Sequence, residues 1–320
     1  MKVSVIVPFY NVEAFIEHNA ISLLSQTLDD VEFIFVDDAS PDGSRKKLEY
    51  IVGSFPGREV RIITHTVNKG LPAARNTGLS VARGDFIYHC DSDDWLEKDM
   101  LEKMYETAIK ERADFVYCDY WMQFEKRERY MHNPTFSDPK IMVKEGFFSG
   151  QMKYNVWNKL LNRDLYNSQV LFPEGHSMGE DMTMILLASH ANKIAHLPEA
   201  LYHYLKTNNN AFTSKYSSKD LEDLNYNASR ILEAYKDDDE MSSYLSFFKL
   251  NVKLPFLFTD EIQQYELWKE WYPEANEYAL SNYHLPFRTR LIQWFASKNL
   301  FLFNRIYVFF VNKMYKMRYR

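Results

Sequence analysis

Three aspartates stand within four positions, Asp91, Asp93 and Asp94, two residues beyond the apolar run Phe86-Ile87-Tyr88. Like charges this close repel, so the grouping needs a cation or hydrogen-bond donors to offset it. In an extended segment residues i and i+2 point the same way, which lets Asp91 and Asp93 converge beyond a strand end. Hard carboxylate oxygens suit Mg²⁺ or Mn²⁺, and one or two of them suffice when substrate phosphates complete the shell. Asp94 has a second possible use as cap of a helix beginning near Trp95. A further pair, Asp37-Asp38, follows another apolar run and could accept hydrogen bonds from a base or ribose, or serve the turn Ser40-Pro41-Asp42-Gly43. Arg75 carries a fork that fits a diphosphate but also suits a solvated helix face. Gly179-Glu180-Asp181 opens a helical stretch, where acids are favoured at the N-terminus; the other use for such a pair is general-base chemistry.

The elements that must position these groups alternate over the first 120 residues. Strands are predicted at 2–8, 32–37, 60–65, 85–90 and 114–119, and the first two are nearly continuous apolar runs of the kind buried on both faces of a parallel sheet. Helical stretches fill the crossovers. Val12, Phe15, Ile16, Ala20, Leu23 and Leu24 make one stripe, with Asn11 placed to cap it, and 44–54, 71–83 and 98–111 follow. This rhythm predicts an α/β domain with a mostly parallel central sheet and helices on both faces. Ligands of such sheets sit at the carboxyl ends of the strands. Pro8-Phe9-Tyr10-Asn11, Asp37 to Ser44, Asn68-Lys69-Gly70 and Asp91 to Asp94 all fall there. Residues 121–150 read as loop-like, a strand-like segment lies near 194–204, and the pattern is helical from about 216. The polar run Lys206 to Ser218 divides a first domain, 1–215, from a helical region, 216–320.

The composition is that of a globular chain, 46% apolar and 26% charged. Cys90 and Cys118 each end a predicted buried strand and read as reduced thiols of a cytosolic protein. Met1-Lys2 runs straight into a strand, which predicts no secretory leader, and no apolar run is long enough to span a bilayer. Without an export signal the Asn227-Ala228-Ser229 sequon carries little weight. The net charge of −6 is uneven: Ala279 to Arg320 holds eight Lys and Arg and no acid, leaving −14 elsewhere. The end of the chain, about 283–320, mixes those bases with Phe287, Trp294, Phe303, Phe309 and other large apolar residues. Such helices suit the interface of an anionic membrane, or else pack internally or on a second copy. A nucleic-acid partner is not expected, given the acidic remainder.

Taken together, Val3 to Asn11, Phe35-Val-Asp-Asp-Ala-Ser40, Asn68-Lys-Gly-Leu-Pro-Ala-Ala-Arg-Asn-Thr-Gly78, Ala82 to Asp94, Trp157-Asn158-Lys159 and Gly179-Glu180-Asp181 resemble, in order and spacing, the family 2 glycosyltransferases of GT-A fold, over about residues 1 to 215. The resemblance implies a metal-dependent, inverting transfer from a nucleotide-sugar, UDP-linked by expectation, to a hydroxyl of a glycan or lipid-linked acceptor in bacterial surface-polysaccharide synthesis. It implies Asp93 and Asp91 as ligands of Mn²⁺ or Mg²⁺, with Asp91 and Asp94 beside the ribose, sugar or metal. Asp38 would read the base, and Pro8, Tyr10 and Asn11 would pack on the nucleoside. Asn68 and Lys69 would lie in the donor site, Arg75 and Lys159 would face the diphosphate, and Asp181 would be the base, with Glu180 its alternative. Relatives often carry Arg in a Tyr-x-Tyr-Arg segment; here Leu205 holds that place, with Lys206 beside it. His203 is a lesser candidate ligand, and His176 is expected at the surface. The expected location is cytoplasmic, peripheral on the inner face of the plasma membrane. The rival readings are a nucleotidyltransferase and a non-catalytic membrane-bound partner.

Overall fold

The computed structural model describes residues 1–166, 170–206, 217–258 and 262–319. They divide into two compact units, Met1–Pro139 with Tyr154–Asn227, and Lys140–Lys153 with Ala228–Arg320. Most of the polar run 206–218 lies outside the described residues.

The first unit is built on a nine-stranded sheet: β1 (Val3–Phe9), β2 (Val31–Asp37), β3 (Glu59–Thr64), β4 (Phe86–His89), β5 (Trp95–Leu96), β6 (Phe115–Gln123), β7 (Glu128–Met131), β8 (Lys159–Asn162) and β9 (Ile194–Leu205). The order is β3-β2-β1-β4-β8-β6-β9-β5, with β7 on β6. β1 and β2 are buried at every position, as continuous apolar runs demand, whereas the edge strand β3 alternates. The sheet is mixed. Pairing is parallel from β3 through β4, but β8 is antiparallel to both β4 and β6. Because Tyr88 pairs with Leu160, the first residue of β8, Lys159, lies at the carboxyl end of β4.

Four helices in this unit bear on the site: α1 (Ile16–Leu24), α2 (Ser44–Val52), α3 (Leu71–Val81) and α4 (Met100–Glu111). α3 lies so close to β1 that a Cβ on Gly78 would meet Ile6 Cγ2 at 2.4 Å, which only glycine permits. Further on are α5 (Thr183–His190), after a 3₁₀ turn Glu180–Met182, and α6 (Ser218–Ala234), whose first ten residues belong here. Asn11 does not cap α1. Its φ is +56°, in the left-handed region that asparagine tolerates, and the helix begins only at Ile16, directly after the turn 13–15. Residues 121–150 are more ordered than their mixed pattern suggests. They complete β6, form β7, and give a π-helical turn, Met142–Phe148.

That turn belongs to the second unit, with α7 (Ser242–Lys253), α8 (Ile262–Glu270), α9 (Phe287–Ser297) and α10 (Phe301–Tyr319). Phe148 packs on Tyr235 and Phe248. Lys253 is fully buried over the Trp268 ring, and its Nζ donates to the carbonyls of Trp271 and Tyr272 and to Asn276 Oδ1, which uses all three ammonium protons.

Candidate active site

Because β1 to β4 run parallel, their carboxyl ends open on one edge. Two of the loops there are stitched together. The Asn11 backbone N–H donates to Ser40 Oγ, Val12 N–H to Ser44 Oγ, and Glu13 N–H to Asp42 Oδ2. Pro8 is buried within β1, past the last residue paired with β4, so its missing N–H costs no ladder bond there. Tyr10 and Asn11 are exposed at the rim.

Asp38 is buried and already holds the adjoining loop. Its Oδ1 accepts from Lys69 N–H at 2.8 Å and meets His65 Nδ1 at 2.6 Å, and its Oδ2 accepts from Gly70 N–H at 2.8 Å. A carboxylate has about four lone-pair sites, so roughly one remains for a base. Asn68 and Lys69 are exposed beside it, with Asn68 Oδ1 accepting from Gly70 N–H.

The segment after β4 is a turn, not the extended run expected: Asp94 N–H donates to Asp91 O at 3.3 Å. The turn separates the three carboxylates. Asp91 and Asp93 stay partly exposed. Asp94 is buried, accepting from Tyr202 Oη at 2.6 Å and from Leu205 N–H at 2.7 Å. It caps no helix, since the next one starts at Met100. Burial, with Asp93 and Asp91 nearby, pushes its carboxyl well above the usual range. Asn19, buried on α1, donates through Nδ2 to the carbonyls of Asp91 and Asp94 and fixes the turn from the other side.

His203 has a partner at each ring nitrogen. Its Nδ1 meets Gln123 Nε2 at 2.8 Å, its Nε2 meets Glu97 Oε1 at 2.9 Å, and its ring stacks on Trp95, so both nitrogens are taken. No group of three or more His, Cys, Asp or Glu among the described residues is arranged to hold a metal.

Arg75, 2% exposed on α3, joins two parts of the site. Nη2 donates to Asp91 Oδ1 at 2.9 Å, and Nη1 pairs with Glu180 Oε1. The two carboxylates hold its guanidinium charged against the cost of burial. Its Nε is buried without a hydrogen-bond partner. Lys159 is buried and donates to Asn158 Oδ1 at 2.8 Å and to Asn155 O, and burial pulls its ammonium down to about 7. Asp181 lies in the 3₁₀ turn next to Glu180. Burial first, then the Glu180 charge, pushes its carboxyl up to about 7, against the opposing pull of Arg75 and Lys159. The neighbouring acids are thus divided: Glu180 is spent on Arg75, while Asp181 stands near neutrality, where a general base works best.

His176 is half-buried, not simply at the surface: it meets Asp223 Oδ1 at 3.1 Å and stacks on Tyr226. Lys206 is exposed, with its Nζ over the Tyr204 ring. Cys90 and Cys118 are free and buried. Asn19, Tyr202 and His65 were missed in the sequence. The one available sign was a polar residue, Asn19, interrupting the apolar stripe of α1.

The sequence profile of the glycosyl transferase family 2 matches residues 4–179, more than half of the chain, and the chain belongs to that family. The glycosyltransferase EpsJ of Bacillus subtilis is 36% identical over 222 residues, which span 66% of this chain and 62% of EpsJ. Among solved structures, S. aureus TarS 1-349 in complex with UDP-GlcNAc superposes with a TM-score of 0.69 at 22% identity, over 100% of this chain and 93% of that one. The mannosyltransferase PcManGT from Pyrobaculum calidifontis, in complex with GDP-Man and Mn²⁺, gives 0.55 at 18% identity, over 94% and 87%. The chain has a GT-A fold with a helical C-terminal region, and its family membership counts against the nucleotidyltransferase reading.

Proposed function

We propose that the protein is an inverting, metal-dependent transferase that moves a sugar from a UDP-linked donor to a hydroxyl of a glycan or lipid-linked acceptor in bacterial surface-polysaccharide synthesis. The observation that carries the reading is the division of Glu180 and Asp181 into a tied carboxylate and a raised one. Asp181 takes the proton of the acceptor hydroxyl as that oxygen attacks the anomeric carbon, and a single displacement inverts the configuration. Asp91 and Asp93 would hold Mn²⁺ or Mg²⁺, which would supply Lewis-acid stabilisation of the departing diphosphate. The buried, unpartnered Nε of Arg75 supports an anion nearby. Pro8, Tyr10, Asn11, Asn68 and Lys69 border the same edge as the spare acceptor of Asp38, which supports a nucleoside there. Asp94, buried and held by Tyr202 and Leu205 of β9, shapes the turn rather than binding the donor directly. The donors named for TarS and PcManGT agree with a nucleotide-sugar.

The test is calorimetric titration of UDP, with GDP for comparison, with and without Mn²⁺, on wild type and Asp93→Ala. Mn²⁺-dependent UDP binding that disappears in the variant is expected. Absence of binding of either nucleotide by the folded wild type sinks the proposal.

The same reading includes attachment to an anionic membrane surface. α10 exposes Leu302, Phe303, Ile306, Phe309 and Phe310 on one face, flanked by Arg305 and Lys313. No helix among the described residues is long and apolar enough to cross a membrane, and a helix of this kind suits the interface plane. In flotation with vesicles containing phosphatidylglycerol at low salt, the protein is expected to rise with the lipid. Leu302→Asp with Phe309→Asp is expected to leave it below, and a wild type that stays below refutes attachment.

A further inference from the structure

The loop 176–179 feeds directly into Glu180 and Asp181, and it has no regular structure of its own. The first half of α6 grips it. Asn227, fully buried, donates through Nδ2 to the carbonyls of His176 at 3.1 Å and Met178 at 3.0 Å, as well as to Asp223 O within the helix. One turn earlier, buried Asp223 accepts from the Ser177 backbone N–H at 3.0 Å through Oδ2. Its Oδ1 meets His176 Nδ1 at 3.1 Å and Lys219 Nζ at 2.6 Å. Tyr226 stacks on the His176 ring with centroids 3.7 Å apart. Gly179 has a φ of +80°, and a Cβ there would come within 3.1 Å of Leu224 Cδ1.

These contacts have a pattern. Residues 223, 226 and 227 lie on one face of α6. Two of them bond the loop through its backbone, so the grip does not depend on the loop's side chains apart from His176. An asparagine needed only for helix packing would not send two of its bonds to carbonyls two residues apart in another segment. Burial of Asn227 also removes the sequon from use as a glycosylation acceptor in the folded chain.

We infer that Asn227 and Asp223 are positioning residues, holding the 176–179 loop so that the Asp181 carboxylate meets the acceptor hydroxyl. The inference rests on the reading of Asp181 as the base. A displacement of about 1 Å at a reacting group can cost on the order of 10²-fold in rate, and the α6 side chains add to the loop's own turn bonds a tie to a regular element.

The test uses the full chain and whichever of UDP-glucose, UDP-galactose and UDP-N-acetylglucosamine the wild type turns over, followed by UDP release. Asn227→Ala and the near-isosteric Asp223→Asn are expected to lower kcat by about 10²-fold and about 10-fold, with donor KM and UDP affinity within about twofold. Added to Asp181→Asn, either change is expected to cost nothing further, because the residue it positions is already gone. The acid limb of the pH–rate profile should also move in Asn227→Ala, which a merely structural role would not produce. Full kcat in both clamp variants, with Asp181→Asn inactive, overturns the clamp and leaves the base in place. Equal loss of kcat and UDP binding overturns it in favour of general destabilisation. Full kcat in Asp181→Asn overturns the base reading, and the clamp falls with it.

Discussion

The turn Asp91–Asp94 and the turn Glu180–Met182 each crowd carboxylates together at the same edge of the sheet, and each sets them apart by giving them different donors. In the first, Asp94 takes the Tyr202 hydroxyl and the Leu205 N–H, leaving Asp91 and Asp93 partly open. In the second, Glu180 takes the Arg75 guanidinium, leaving Asp181. The remaining groups differ in what surrounds them. Asp91 and Asp93 keep part of their surface open to solvent. Asp181 is pushed toward neutrality by burial and by its neighbour's charge. Identical side chains thus acquire different work from their hydrogen-bond partners, and acid–base roles follow where environments drive neighbouring pKa values apart.

The change expected to matter most is Asp181→Asn. If the second turn makes a base, turnover should fall by about 10²–10⁴-fold with UDP binding retained. In the wild type kcat should rise with pH through about 7, as the carboxyl loses its proton. Steady-state rates from pH 5 to 9 decide this, and a flat profile breaks the distinction between the turns.

Arg75 spans both turns, so its loss should register in each. Arg75→Met takes the guanidinium away from buried Glu180, and breaking a buried pair in this way costs about 3–5 kcal/mol. Denaturant unfolding should show that loss. Combined with Glu180→Leu, the penalty should shrink, because no buried charge is then left alone. An undiminished penalty in the double variant would mean that Arg75 stabilises chiefly through Asp91.

The raised carboxyl of Asp181 also makes a statement about stability. Its folded value lies above its unfolded one, so the folded chain keeps a proton that the unfolded chain releases between about pH 4 and about 7. Stability contributed by this group is complete below that window and lost as pH rises through it. Asp181→Asn should therefore gain on the wild type across the window, by on the order of 1–3 kcal/mol, and the difference should level off above it. Melting temperatures at pH 4.5 and 8 measure the gain, and equal differences at both would refute it.

Much of this could be read from local pattern. Continuous apolar runs marked β1 and β2, the helical stripe marked α1 within a few residues, and the polar clusters after the parallel strands fall on the edge where the candidate site lies. What pattern could not supply were partnerships at long separation. Arg75 and Glu180 are 105 positions apart, and Asp94 and Leu205 are 111. β8 enters antiparallel between β4 and β6 because the fold needs a strand there, and its four residues have too little periodicity to announce a direction. Residues 121–150 carried no single period because they serve a strand end, a hairpin and a helical turn that belongs to the other unit. Asn11 read as a cap by residue type, yet asparagine is also favoured where φ turns positive, and that use prevailed.

The smallest expected effect is the sharpest test of the first turn. Tyr202→Phe removes one of the two donors that hold Asp94, and the Leu205 N–H remains. Losing a buried hydrogen bond and leaving an acceptor short should cost about 1–2 kcal/mol in unfolding. The carboxyl of Asp94, already raised by burial, should rise further, since a donor that favours the charged form is gone. If Asp94 only shapes the turn, UDP affinity in the presence of Mn²⁺ should change less than about threefold, whereas Asp93→Ala should abolish it. A tenfold or larger loss in Tyr202→Phe, at unchanged fold, would make Asp94 a ligand in its own right. The first turn would then work through all three of its carboxylates, and the parallel with the Glu180–Asp181 pair would fail at the residue on which it depends.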